Sequence, residues 1–194
     1  MTADPDPTPE PTVRASSAPV TVRPAVPGDA AAVARVAAAT FPDACPPTTT
    51  REAMDEHIAA QLNADVIGGW IASADHAVAV AEDTAGRVVG YVMTELAPAA
   101  EPAVAAVVGD APVGCLSKLY VLAEARGTGV AGALMAAGLD AMRARGLAYG
   151  WLGTNVHNHR ANAFYERIGF RIVGERTFRV AGHAETDFTR LIAL

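Results

Sequence analysis

Leu119-Tyr-Val-Leu-Ala-Glu-Ala-Arg126-Gly-Thr-Gly-Val-Ala-Gly132 is the stretch on which the reading of this chain turns. It runs from a strand through a glycine-rich turn into a helix. Leu119, Val121 and Leu122 are the large and β-branched apolar residues that a buried strand needs. Gly127, Gly129 and Gly132 let the backbone turn tightly and bring its amides close to a ligand. From 130 to 145 the chain is rich in Ala, Leu and Met, and its apolar residues at 130, 134, 137 and 141 have the spacing of one helix face. Such a turn aims free N–H groups and the positive end of a helix dipole at one place, an anion site suited to phosphate. Arg126 at its entrance adds a charged, forked donor.

Several ligands compete for that turn. Gly127-Thr-Gly129-Val-Ala-Gly132 matches the dinucleotide fingerprint G-x-G-x-x-G. That fingerprint belongs in the first βαβ unit, with an acid about 20 residues further on. Here it comes late in the chain, and Trp151-Leu-Gly-Thr-Asn155 offers no acid. A nucleoside-triphosphate loop needs Gly-Lys-Ser/Thr, which the sequence lacks. A bare strand-to-helix linker is the plainest alternative. Arg126-x-x-Gly129-x-Ala131 also matches the Arg/Gln-x-x-Gly-x-Gly/Ala signature of the GNAT N-acetyltransferases, and the chain resembles that superfamily. The ligand implied by the resemblance is the pyrophosphate of coenzyme A.

A second segment strengthens it. Asn158-His-Arg-Ala161-Asn-Ala-Phe164-Tyr165-Glu-Arg-Ile-Gly169-Phe170 resembles the GNAT pattern Asn-x-x-Ala-x-x-Phe-Tyr-x-x-x-Gly-Phe, one helix and one strand after the turn. The resemblance covers residues 20–194. Ser117-Lys-Leu-Tyr-Val121 and Trp151-Leu-Gly153 look most like the bacterial polyamine-acetyltransferase branch. The chain departs from that branch at Asn155-Val156, where a Trp-Glu pair often stands, which weakens any transfer of substrate.

The resemblance implies an α/β single-domain GNAT fold: a mixed, mostly antiparallel central sheet flanked by helices and split near the cofactor. It implies transfer of an acetyl group from acetyl-CoA, as co-substrate, to a primary amine of a small molecule, by direct attack in a ternary complex. Polyamine-like amines lead; protein, amino-acid and antibiotic amines, and a non-catalytic acyl-CoA-binding module, are the alternatives. By that analogy the bulged strand end at Leu119, Tyr120 and Val121 offers an amide to the oxyanion and pairs with the pantetheine. Arg126 and the amides of Gly127, Thr128, Gly129, Val130, Ala131 and Gly132 cradle the pyrophosphate. Asn158 touches the pantetheine, and Tyr165 protonates the leaving thiolate. A phenol suits that step, because its ordinary pKa of about 10 keeps it protonated at neutral pH. The general base is open among Glu82, Glu95, His183 and Asp187, none of which has a spacing that singles it out.

The remainder of the chain sets bounds. A length of 194 residues gives one domain by default. A net charge of −6, with no Lys/Arg stripe, argues against a nucleic-acid binder. Cys45 and Cys115 read as free thiols in a reducing compartment. No signal peptide and no membrane-spanning apolar run is found, so a cytoplasmic protein is expected. The sequence leaves room for a homodimer. Residues 1–19, with five prolines among polar and small residues, read as a disordered tail. Strands are expected at 20–23, 77–81, 87–94, 115–121, 149–153, 170–173 and 186–192. Helices are expected at 30–39, after a Thr49-x-x-Glu52 capping box, at 65–73, from 130 and from 158. The stretch 97–114 reads as a long loop, ordered in part over 104–108. His57 reads as a packed or half-exposed histidine. His157-Asn-His159 lacks further ligands, so no metal is expected. Ser117 and Lys118, adjacent on a strand, are expected on opposite faces and out of each other's reach.

Overall fold

The computed structural model describes residues 20–45, 49–99, 101–180 and 183–194. The proline-rich 1–19, residues 181–182 and the side chain of His183 lie outside them. In chain order the elements are β1 (Thr21–Pro24), α1 (Ala30–Thr40), α2 (Arg51–Gln61), α3 (Ala64–Ala72), β2 (His76–Glu82), β3 (Val88–Glu95), α4 (Pro102–Val108), β4 (Val113–Val121), α5 (Val130–Ala144), β5 (Tyr149–Asn155), α6 (His159–Ile168), β6 (Arg171–Val180) and β7 (His183–Ala193). Among the described residues no helix is long and apolar enough to cross a membrane.

Local chemistry explains the element ends. Asn63 and Asn158 cap α3 and α6, their side chains accepting from the N–H groups of Val66 and Ala161. The cap of α2 is Thr50, one residue later than the capping box suggests; its hydroxyl accepts from Ala53 N–H at 3.2 Å. Asp29 precedes α1 without capping it, because its carboxylate is held by Arg23 and by Val26 N–H. The stretch read as a loop carries α4, which starts on Pro102 and stops at Gly109. The last two strands are much longer than read. They form one hairpin, paired from Arg171 with Leu191 to Val180 with His183.

The seven strands form one sheet in the order β1-β2-β3-β4-β5-β7-β6. Every neighbouring pair is antiparallel except β4 and β5. That parallel pair meets only at Val113 with Tyr149, Gly114 with Gly150 and Cys115 with Trp151. Beyond Cys115 and Trp151 the two strands run on to Val121 and Asn155 without pairing, so the sheet splits there, as expected.

The two faces of the sheet are covered by different helices. One face carries α5 and α6 over Val89, Val92, Leu116, Val121 and Leu152. Gly138 lets α5 lie close on β3, since a Cβ there would come 3.0 Å from Thr94 Oγ1. Leu134, Met135 and Met142 of α5 are fully buried, each contributing about 1.5–3 kcal/mol of hydrophobic stabilisation. The opposite face carries α1 and α3 over Val78, Val80, Tyr91 and Met93. On that same face Val104 of α4 packs with Cys115, Trp151 and Leu191.

Candidate active site

The split between β4 and β5 opens into a cavity of about 900 Å³ that reaches both faces of the sheet. At one end lies the glycine turn. Gly127 and Gly129 take the left-handed conformation, with φ of 80° and 89°. The first helical bond of α5 runs from Ala133 N–H to the Gly129 carbonyl at 3.1 Å, so the N–H groups of Val130, Ala131 and Gly132 have no acceptor within the helix. Arg126, Gly127, Gly129, Ala131 and Gly132 line the cavity. Thr128 and Val130 do not turn their side chains to it. The Thr128 hydroxyl donates to the Ala125 carbonyl at 2.7 Å and closes the turn, while Val130 is buried in the α5 core. The Arg126 Nε donates to the Val121 carbonyl at 3.0 Å, and its guanidinium pairs with Asp43 from the short turn after α1.

Leu119, Tyr120 and Val121 line one arm of the split. The bulge lies elsewhere than the resemblance implied. Met93 faces Lys118 and Thr94 faces Leu116, which leaves Ser117 as the extra residue of β4. This overturns the expectation for Ser117 and Lys118. The bulge breaks the strand alternation, and Lys118 Nζ lies 3.4 Å from Ser117 Oγ.

From α6, Asn158 and Tyr165 line the cavity on the face of the glycine turn, as do Arg160 and Arg167. The Asn158 side-chain oxygen is engaged as the helix cap, at 3.1 Å from Ala161 N. Tyr165 packs edge-on against Phe164 and Phe170, with ring centres 5.4 and 5.9 Å away. Burial pushes its phenol up to about 12, against the opposing pull of the Arg190 charge. Arg190 of β7 is 4% exposed and was missed in the sequence. It donates to Asn162 Oδ1 at 3.1 and 3.2 Å and to the Phe170 carbonyl, and so ties α6 to the sheet. Its place directly before the apolar run Leu191-Ile-Ala193 was the available signal.

The opposite face of the split is acidic. Glu95, Glu101, Glu185 and Asp187 line the cavity with Arg176, Lys118 and Trp151. Arg176 reaches Asp187 at 3.4 Å and Glu101 at 3.8 Å, over the Trp151 ring. Burial raises the Asp187 carboxyl above its ordinary range, opposed by Arg176. Two of the four base candidates, Glu95 and Asp187, are therefore in place. Glu82 is bonded to Arg23 at the far edge of the sheet, outside the cavity, and the His183 side chain lies outside the described residues. His57 is half-buried, stacked on Phe41 at 4.5 Å, and held below the usual histidine range by burial. Among the described residues no group of three or more His, Cys, Asp or Glu could hold a metal ion.

With this geometry in hand, relatives define the class. A profile of the acetyltransferase (GNAT) family matches residues 35–170. An uncharacterized N-acetyltransferase of Mycobacterium tuberculosis is 38% identical over 160 residues, covering 82% of this chain and 94% of its own. An N-alpha-acetyltransferase 30 of Schizosaccharomyces pombe is 44% identical over 57 residues, 29% of this chain and 38% of that protein. Among solved structures, the PaiA N-acetyltransferase of Thermoplasma acidophilum in complex with coenzyme A shares the fold. Its TM-score is 0.71 at 14% identity, over 91% of this chain and 99% of that one. The chain belongs to the GNAT family of N-acetyltransferases.

Proposed function

We propose that the protein transfers an acetyl group from acetyl-CoA to the primary amine of a small cationic molecule, with both substrates bound at once. The observation that carries this is the two-sided cavity. The phosphate-binding turn and Tyr165 stand on the α5/α6 face, and the carboxylates stand on the other. The pyrophosphate sits on the free amides of Val130, Ala131 and Gly132, with Arg126 beside it. The pantetheine follows the unpaired arm of β4, where an N–H among Leu119, Tyr120 and Val121 faces the thioester oxygen. Such a donor commonly supplies several kcal/mol to the transition state.

The amine enters from the acidic face. Glu95, Glu101, Glu185 and Asp187 outnumber Arg176 and Lys118 there, which favours a cation and supports the polyamine-like reading. Asp187 is the proposed base. Its burial raises the carboxyl, which makes it a better proton acceptor from an ammonium than an exposed carboxylate is. The amine nitrogen then attacks the thioester carbon, the C–S bond breaks, Tyr165 gives its proton to the thiolate, and the nitrogen releases its second proton to solvent, from which Tyr165 is reprotonated. The cytoplasm is the proposed compartment, supported by Cys45 and Cys115, both free thiols.

The test is thiol release from acetyl-CoA across polyamines, amino acids, aminoglycosides and a lysine peptide. Release greatest with polyamines is expected. Release with another amine class would move the acceptor, and CoA binding without release from any amine would leave a binding module.

A further inference from the structure

Lys118 is the only lysine in the sequence; every other residue of the Lys+Arg total of 15 is an arginine. The distinction matters chemically. A guanidinium keeps its proton, whereas an ammonium loses its proton when desolvated and becomes a nucleophile. The single amine side chain of the protein stands inside the acetyl-transfer cavity. Its position follows from the bulge at Ser117. Lys118 is opposite Met93, so it shares the face that α1 and α3 cover, and it comes directly before the Leu119–Val121 arm.

The surroundings of its Nζ are those of an amine awaiting a partner. Ser117 Oγ is 3.4 Å away, and the Trp70 ring centre is 4.8 Å below it. Among the described residues it makes no ion pair with a carboxylate. Glu95, on the neighbouring strand two residues beyond the Met93 that faces Lys118, acts on it only at longer range. Burial pulls the ammonium below the usual lysine range, with Glu95 and Cys115 opposing.

We propose that Lys118 is itself an acetyl acceptor: with acetyl-CoA bound and no external amine present, its Nζ takes the acetyl group. This rests on the acetyl-CoA reading of the cavity. The neutral Nζ attacks the thioester carbon, a C–N bond forms and the C–S bond breaks. The nitrogen gives up one proton, and the thiolate takes one to leave as free coenzyme A. The product is an amide, which is no acyl donor, so the acetyl group stays. It removes the cation and places an acetamide over Trp70 on the acceptor face. Turnover of external amines should therefore fall after preincubation with acetyl-CoA alone.

The experiment uses the full chain and acetyl-CoA with no acceptor, followed by intact-mass and peptide mass spectrometry. The expected result is the mass of one acetyl group per chain, located on Lys118, with the N-terminus as the sole other amine. The rate should not depend on protein concentration, and Tyr165→Phe should slow it at least about 10-fold. Lys118→Arg should gain no such mass. An unmodified Lys118 in a protein whose melting temperature rises with acetyl-CoA would overturn the proposal and leave the donor site standing. Modification equally fast in urea-unfolded chain would also overturn it, as chemistry without a site. No binding of acetyl-CoA at all would overturn the reading of the cavity, and this inference with it.

Discussion

A phenol serves as the acid for a thiolate only while it keeps its proton. Tyr165, pushed up to about 12 by burial, does so throughout the neutral range. Tyr165→Phe retains the ring contacts with Phe164 and Phe170 and removes only the hydroxyl. We expect kcat to fall by about 10²-fold or more, with acetyl-CoA affinity and Tm nearly unchanged. Steady-state kinetics beside calorimetric titration would check it, and an unchanged kcat would remove the acid role. Burial raises Asp187 as well, but a base must be ionised to act. Its raised carboxyl takes up a proton at a higher pH than an exposed aspartate, so with Asp187 as the base activity is expected to be lost early as pH falls. Asp187→Asn should lower kcat and abolish that acid limb. The same shift bears on stability. A carboxyl whose folded pKa lies above its unfolded value stabilises the fold at low pH, and that contribution is lost as pH rises through the folded pKa. Asp187→Asn should therefore raise Tm slightly at pH 7 and leave it unchanged well below pH 4. A Tm that drops at pH 7 would mean that the Arg176 pair outweighs the burial.

At the scale of elements, the glycine turn separates ligand binding from folding. Gly127 and Gly129 are fixed by positive φ, but Gly132 is helical, and a Cβ there would meet nothing within 4 Å. Gly132→Ala should stabilise α5 by about 0.5–1 kcal/mol, yet it fills the space over the free amides. A higher Tm with weaker CoA binding is the expected pair of results; unchanged binding would show that no ligand lies against that turn. Asp43 gives a second handle. Its ion pair with Arg126 would compete with a phosphate bound there as proposed, and both groups are partly exposed, so Asp43→Asn should tighten acetyl-CoA binding only about 2- to 5-fold. Weaker binding would instead make Asp43 a support for the arginine.

The same comparison shows what a sequence reveals. The turn, α5 and α6 are local: glycines, an Asn cap and a 3.6-residue period lie within one stretch, and the elements that line this side of the cavity were legible from them. The bulge at Ser117 is not local, because it exists only against the register of β3. Hence Ser117 and Lys118 were expected to lie out of each other's reach. The acceptor half draws Glu95, Glu101, Arg176 and Asp187 from four separate segments, which no spacing connects. The long β6–β7 hairpin alternates charged residues toward the cavity, so its apolar signal is thin.

Across the whole molecule, the split sheet bears on the proposed order of substrate binding. The donor features and the carboxylates stand on opposite faces, and they meet only where β4 and β5 part. Under the proposed function, that arrangement lets both substrates bind at once. A covalent route would require a nucleophile that accepts the acetyl group and returns it. Cys115 lines the cavity, but burial pushes its thiol up to about 12, so it is almost wholly protonated at neutral pH. Lys118 accepts without returning, since an amide is a poor donor. Initial rates with both substrates varied should therefore give intersecting double-reciprocal lines, the pattern of simultaneous binding, in wild type and in Cys115→Ala alike. Lys118→Arg should keep that pattern and show no slow decline after preincubation with acetyl-CoA. Parallel lines in the wild type would instead demand an acetylated enzyme on the main path, and Cys115→Ala would then tell whether the thiol carries it.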